Sequence, residues 1–374
     1  MRVLAAMSGG VDSSMAAALL VEEGHDVTGV HLKLADTPSG LPGKGCCTLD
    51  DARDARRVAD LLGIPYYVWD LSAPFQERVV DDFVAEYAAG RTPNPCVRCN
   101  ERVKYTALLA RARAMGFDAL ATGHHVRLRH DGGRWRLLRA ADAGKDQTYV
   151  LYMADQDQLS HTLWPVGEHP KPALRAMAVE RGLITARKPD SHDICFIPSG
   201  DLGAYLRPRL GHRPGPVVGP DGSRFGTHDG AYRFTVGQRR GLGIAGHDAP
   251  LFVTAIDGDT VHVGPRDALE TADVVATDVS WVAGGPPRSQ QIGAQVRYRG
   301  APLPASWSTD DGGRLRLRFT AERPVGVAPG QAVVCYDGDE CLGGGTIAAA
   351  TPASTTAASS LEPKPRVTEG ALRR

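Results

Sequence analysis

Seven cysteines in a chain of 374 residues are too few to staple a protein of this size. A disulfide scaffold is therefore excluded, and each cysteine reads as catalytic, metal-binding or buried. Long apolar runs are missing as well. None approaches the ~18–20 residues that cross a bilayer, and the chain enters a strand at once with no signal-peptide pattern. No membrane partner and a cytoplasmic location are expected. Net charge is also absent, since 43 Lys and Arg balance 43 Asp and Glu, which excludes a uniformly basic nucleic-acid binder. The balance is uneven, however: residues 1–90 hold 7 basic against 14 acidic side chains, and residues 91–140 hold 11 against 3. Such a local excess suits an RNA backbone or a solvated basic face. What remains is a chain with 42% apolar residues, enough for two or three cored domains, and no internal repeat.

The first residues carry the strongest signal. Val3 to Met7 reads as a buried strand and Ser13 to Glu23 as a helix, joined by Ser8-Gly9-Gly10-Val11-Asp12. Glycines there permit a tight turn and the close approach of an anion to the amides and dipole of a helix N-terminus. The loop lacks the lysine of the Walker pattern. SGGVDS resembles instead the pyrophosphate loop of the N-type ATP pyrophosphatases, which split ATP between its alpha and beta phosphates and adenylate an oxygen of the substrate.

Strand and helix then alternate through Val27–Leu32, Asp50–Leu62 and Tyr66–Trp69, and a further strand over Ala119 to Thr122 runs into Gly123 and His124. This alternation predicts a parallel α/β sheet, with the loops after Met7, Leu32 and Thr122 converging on one nucleotide site at the carboxyl ends of the strands. Beyond residue 200 prolines, glycines and short strand-like runs take over. The expected fold is α/β: an N-terminal pyrophosphate-loop domain over 1–200, a small β-rich domain over 201–275, a C-terminal β-barrel over 276–349, and a disordered tail over 350–374.

The second motif is Thr92-Pro93-Asn94-Pro95-Cys96-Val97-Arg98-Cys99-Asn100, a C-x-x-C on a proline-stiffened turn before a helix expected to begin near Glu101. A helix N-terminus and the nearby Arg98, Arg102 and Lys104 favour a thiolate. Half of a zinc site, a redox pair, or part of a three-sulfur site with a distant cysteine all fit. The distant cysteine is Cys195, in DSHDICFI.

SGGVDSS, GRTPNPxxxCN, ATGHH, GKDQTYVLY, DICFI, GQRRGLGI and CLGGGTI, in that order from residue 1 to about 349, resemble the tRNA-specific 2-thiouridylases. The resemblance implies an ATP-dependent tRNA-uridine 2-sulfurtransferase that adenylates the C2 carbonyl of the wobble uridine and replaces its oxygen with sulfur. It also implies Cys99 as nucleophile, Cys195 as persulfide carrier and a transient disulfide between them. ATP with Mg²⁺ falls to Ala6, Met7, Ser8, Gly9, Gly10, Val11, Asp12, Ser13, Leu32 and Gly123. The tRNA anticodon region falls to Asn94, His124, Lys145, Asp146, Gln147, Arg297, Tyr298 and Gln331. A persulfide-donating relay protein or a cysteine desulfurase is the implied second partner. One position departs from the family pattern: Cys96 stands where many members have an aspartate, which leaves open a 4Fe-4S cluster on Cys96, Cys99 and Cys195. Rival readings are an adenylating enzyme that aminates a small molecule, which needs no paired cysteines, and a non-enzymatic RNA-binding module, which does not explain SGGVDS.

Overall fold

A computed structural model describes residues 1–35, 48–190, 194–197, 199–244 and 249–353. Cys46, Cys47 and residues 354–374 of the expected tail lie outside the described residues.

The chain opens with β1 (Arg2–Ala6), β2 (Asp26–Lys33), β3 (Tyr66–Asp70) and β4 (Ala119–Ala121), followed by a hairpin of β5 (Val126–Asp131) and β6 (Arg134–Arg139) and then β7 (Thr162–Leu163). Five of these form one sheet in the order β3-β2-β1-β4-β7, and every pair in it is parallel. Val3, Leu4 and Ala5 are buried on both faces, as a parallel sheet covered by helices requires. Helix α1 (Val11–Glu22) follows β1, and helix α2 (Leu49–Leu62) precedes β3. The start of α2 is fixed by a reciprocal capping box between Thr48 and Asp51, and its end by Gly63 at φ 68°, a left-handed cap that glycine adopts without strain.

The hairpin turns through Gly132 and Gly133, both at positive φ, as a two-residue turn demands. It leaves the parallel sheet altogether. Leu137 and Leu138 pair instead with Cys341 and Glu340 near the far end of the chain.

Strands β8 (Gly215–Val218), β9 (Arg224–His228), β10 (Phe252–Asp257) and β11 (Thr260–Gly264) make a separate sheet around Val217, Phe234, Val253 and Val261. Strands β12 (Thr271–Trp281), β13 (Gln291–Gln295), β14 (Leu303–Thr309), β15 (Leu315–Phe319), β16 (Ala332–Asp337) and β17 (Glu340–Pro352) form the last sheet, which the pairing of β12 with β17 closes into a barrel. Residues of β15 alternate buried and exposed, with Leu315, Leu317 and Phe319 filling the interior.

Two expected limits shift accordingly. A boundary at 276 falls inside β12, which starts at Thr271. A tail starting at 350 cuts off the end of β17, where Ala350, Thr351 and Pro352 still pair with Val274, Asp273 and Thr271.

Candidate active site

The loop after β1 turns at Gly9, with φ 78°. A side chain there is impossible, because a Cβ would sit 2.3 Å from the carbonyl oxygen of Asp51. Gly10 caps α1 with no side-chain hydrogen bond, so the first amides of the helix keep their capacity for an anion. Ser13 and Ser14 both donate to the Gly10 carbonyl, at 3.1 and 2.9 Å, and the Ser8 amide donates to the Ser13 hydroxyl at 3.1 Å. Gly123, at the end of β4, lies against the same turn. A Cβ on it would stand 2.5 Å from the Ser13 amide nitrogen. Met7, Val11, Ser13 and Leu32 are buried, Ala6 is half-buried, and Ser8 is exposed at the mouth.

Charge gathers around Asp12. The Lys171 ammonium lies 2.6 Å from both of its carboxylate oxygens and His125 Nε2 lies 3.1 Å from Oδ1. Burial works against a charge on Asp12, yet its bonds to His125 and Lys171 hold the carboxyl below its usual value. Lys171 also reaches Asp190 at 3.0 Å, and Asp190 is met by Arg175 and Lys145 at 2.7 Å each. Against the cost of burial, Lys145 and Lys171 hold the Asp190 carboxyl well below the carboxylate range. Lys188 pairs with Asp51 at 2.7 Å and Asp54 at 2.8 Å, beside Gly9. Lys171, His125, Asp190, Arg175 and Lys188 were not singled out from the sequence. Asp190 lies in the motif that carries Cys195 and His125 in ATGHH, whereas nothing around Lys171 marks it.

The helix that carries the cysteines begins at Pro95 rather than near Glu101. Asn94 is its cap, its Oδ1 accepting from the amides of Cys96 at 3.1 Å and Val97 at 3.4 Å, and proline takes the first position. The helix continues through Cys99–Leu108 and Leu109–Ala114. Cys96 is exposed on its first turn and Cys99 is buried. Cys195 packs against the core cluster that contains Cys99. No disulfide joins the described cysteines.

Among the described residues, no group of three or more His, Cys, Asp or Glu side chains is gathered to hold a metal. Cys96, Cys99 and Cys195 are not gathered as such a group. Mg²⁺ differs, since it is commonly held by one or two carboxylates together with substrate phosphates, and Asp12 at the phosphate loop fits that demand.

Residues expected to meet tRNA fall into two groups. Tyr298 is exposed, and burial of part of its ring, then the charge of the Cys96 thiol, push its hydroxyl upward while Gln147 bonds to it; the barrel and Gln147 thus meet. Lys145 stands at the phosphate-loop network. The rest are engaged inside the fold. His124 is buried, its Nδ1 2.7 Å from the Thr122 hydroxyl. Asp146 accepts from the Thr148 hydroxyl at 2.7 Å and the Ala140 amide at 3.1 Å. Arg297 donates to the Gly326 carbonyl at 2.9 Å. Gln331 donates to the carbonyls of Thr92, at 2.9 Å, and Pro93, at 3.4 Å, so the barrel grips the strap before the cysteine helix.

Three family models match in sequence: a tRNA methyl transferase HUP domain over residues 1–199, a tRNA methyl transferase PRC-barrel domain over 203–265, and an aminomethyltransferase beta-barrel domain over 271–347. The chain is 53% identical over 362 residues to the tRNA-specific 2-thiouridylase MnmA of Mycolicibacterium smegmatis, covering 93% of this chain and 99% of that protein. It is 49% identical over 368 residues to the protein of that name from Thermobifida fusca, covering 97% and 99%. By matches of this length and identity, the chain belongs to the MnmA family of tRNA-specific 2-thiouridylases.

Proposed function

We propose that this protein thiolates the wobble uridine of tRNA, spending one ATP for each 2-thiouridine. The uridine C2 oxygen attacks the alpha phosphorus of ATP, the alpha–beta bridging bond breaks, and pyrophosphate leaves. The loop amides, Lys171 and Lys188 receive the charge that develops on it. Mg²⁺, held by Asp12 and the phosphates, would add further neutralisation. AMP is then the leaving group at C2. The terminal sulfur of a persulfide on Cys195 attacks C2 and expels AMP. The Cys99 thiolate attacks the Cys195 sulfur, which releases the thiocarbonyl and leaves a Cys99–Cys195 disulfide. An external thiol reductant reopens it, and a persulfide-donating partner reloads Cys195.

One observation carries this reading: the buried ammonium of Lys171 bridges Asp12 of the phosphate loop to Asp190, five residues before Cys195. The charges of the nucleotide loop thereby reach the stretch of sequence that leads to Cys195, which supports the reading. The test is pyrophosphate release with and without tRNA. Release that requires tRNA is expected. Turnover indifferent to tRNA points to a small-molecule adenylating enzyme, and no turnover at all to a binding module.

A further inference from the structure

Arg98 sits between the two cysteines of the C-x-x-C, and beyond a positive charge that favours a thiolate the thiolation scheme gives it no task. Its side chain is 15% exposed and meets three carboxylates: Glu101 at 3.0 Å, Asp278 at 3.5 Å and Asp82 at 3.7 Å. It also donates to the Thr346 hydroxyl at 3.3 Å. Asp82 and Glu101 belong to the catalytic domain, whereas Asp278 and Thr346 belong to barrel strands β12 and β17.

Asp278 is unusual in its backbone. Among the described residues it alone has positive φ without being glycine, at 49°. It lies where the register of β12 against β17 shifts, between Thr277 and Ser280, and such bulges re-aim side chains. The CLGGGTI motif makes room for it. A Cβ on Gly343 would sit 2.1 Å from the Ser280 carbonyl oxygen, and one on Gly345 2.6 Å from that of Thr277. Stability does not explain the arrangement, since Asp278 is 61% exposed, and an ion pair so open to water stabilises by less than a left-handed non-glycine residue costs. Strain held in this way points to a task at the site it serves.

We propose that Asp278 and Arg98 are a positioning pair, in which a carboxylate aimed by the barrel bulge seats the arginine and so fixes the start of the helix that carries Cys96 and Cys99. The same barrel holds the preceding strap through Gln331 and through the Pro329 carbonyl, which accepts from the Thr92 amide at 2.8 Å. Asp278 does not touch the nucleotide loop. Its loss therefore slows the sulfur step and spares adenylation, a consequence that rests on the thiolation reading above.

The test compares wild type with Asp278→Gly, which removes the carboxylate and relaxes the backbone, and with Arg98→Lys, which keeps the charge but loses the forked geometry. Iodoacetamide labelling of Cys99, read by peptide mass, is expected to speed up at least fivefold in Asp278→Gly with no fall in Tm. In single turnover the pyrophosphate burst is expected to stay within twofold while 2-thiouridine formation falls about tenfold, and Arg98→Lys is expected to behave alike. Unchanged labelling overturns the proposal, as does a Tm loss with adenylation and sulfur transfer falling together. A wild type that forms no 2-thiouridine overturns the thiolation reading instead, and the labelling result still judges the positioning pair.

Discussion

Lys171 is the residue on which the account of the nucleotide site turns. Its ammonium is buried between Asp12 and Asp190, with 8% of the side chain exposed, and breaking a buried pair on one side strands the charges that remain. Lys171→Met is expected to lower stability by about 2–4 kcal/mol and to cut tRNA-dependent pyrophosphate release on the order of 100-fold. Chemical denaturation and a coupled pyrophosphate assay measure the two effects. An intact release rate would remove Lys171 from the phosphate site. No periodicity or motif in the sequence could have shown this residue, because its partner Asp12 lies 159 positions away and only the packing of helix Lys171–Glu180 against α1 brings them together. His124 yields a second prediction at this scale. Burial first, and then the nearby Lys104 and His125, push it well below the ordinary histidine value, so the native state keeps it neutral. The unfolded chain binds a proton near its free value of about 6.5. The contribution of His124 to stability is therefore complete above about pH 6.5 and declines as pH falls from there toward the depressed native value. Urea midpoints taken at about pH 7.5 and about pH 5.5 should fall less in His124→Gln than in wild type. An equal fall in both proteins would contradict a buried neutral ring.

At the scale of elements, the phosphate loop and its two neighbours stand as one rigid joint. Gly123 after β4 presses on the first turn of α1, and Gly9 presses on α2; both contacts are with backbone, which does not yield as a flexible side chain does. Gly123→Ala should raise the KM for ATP about tenfold and cost roughly 1–3 kcal/mol, read from initial rates and from Tm. An unaffected KM would show that α1 can move aside. Much of this joint was legible, because SGGVDSS between a short apolar run and an amphipathic one is local information, and local periodicity also set β2, α2 and β3. The cysteine helix was misplaced even though its start was written in the chain: Asn94 followed by Pro95 is a cap and first-turn pair. The hairpin β5–β6 shows the opposite case. It went unread in the sequence, and its pairing with β17 more than 200 residues later depends on a surface no local pattern describes.

Across the whole molecule, distant parts of the chain meet on one short stretch before and within the cysteine helix. The barrel side supplies Gln331, Pro329 and Asp278 to the segment from Thr92 to Arg98, the middle domain adds the Thr235 hydroxyl against that of Thr92, and the parallel sheet supplies the phosphate loop. The sequence showed that a nucleotide loop and two cysteines were present, but not that the barrel would grip the cysteine strap, since that contact joins residues about 240 positions apart. It also left the role of Cys96 open. In the structure Cys96 is exposed and, among the described residues, belongs to no gathered metal-binding group; the proposed route is the persulfide one through Cys99 and Cys195. The most direct measurement of that claim is mass spectrometry of tRNA nucleosides after reaction with ATP and a persulfide donor, using wild type, Cys99→Ser and Cys195→Ser. The account predicts 2-thiouridine from wild type and none from either variant, with tRNA-dependent pyrophosphate release retained in both. 2-Thiouridine formed by either variant at the wild-type rate would contradict it.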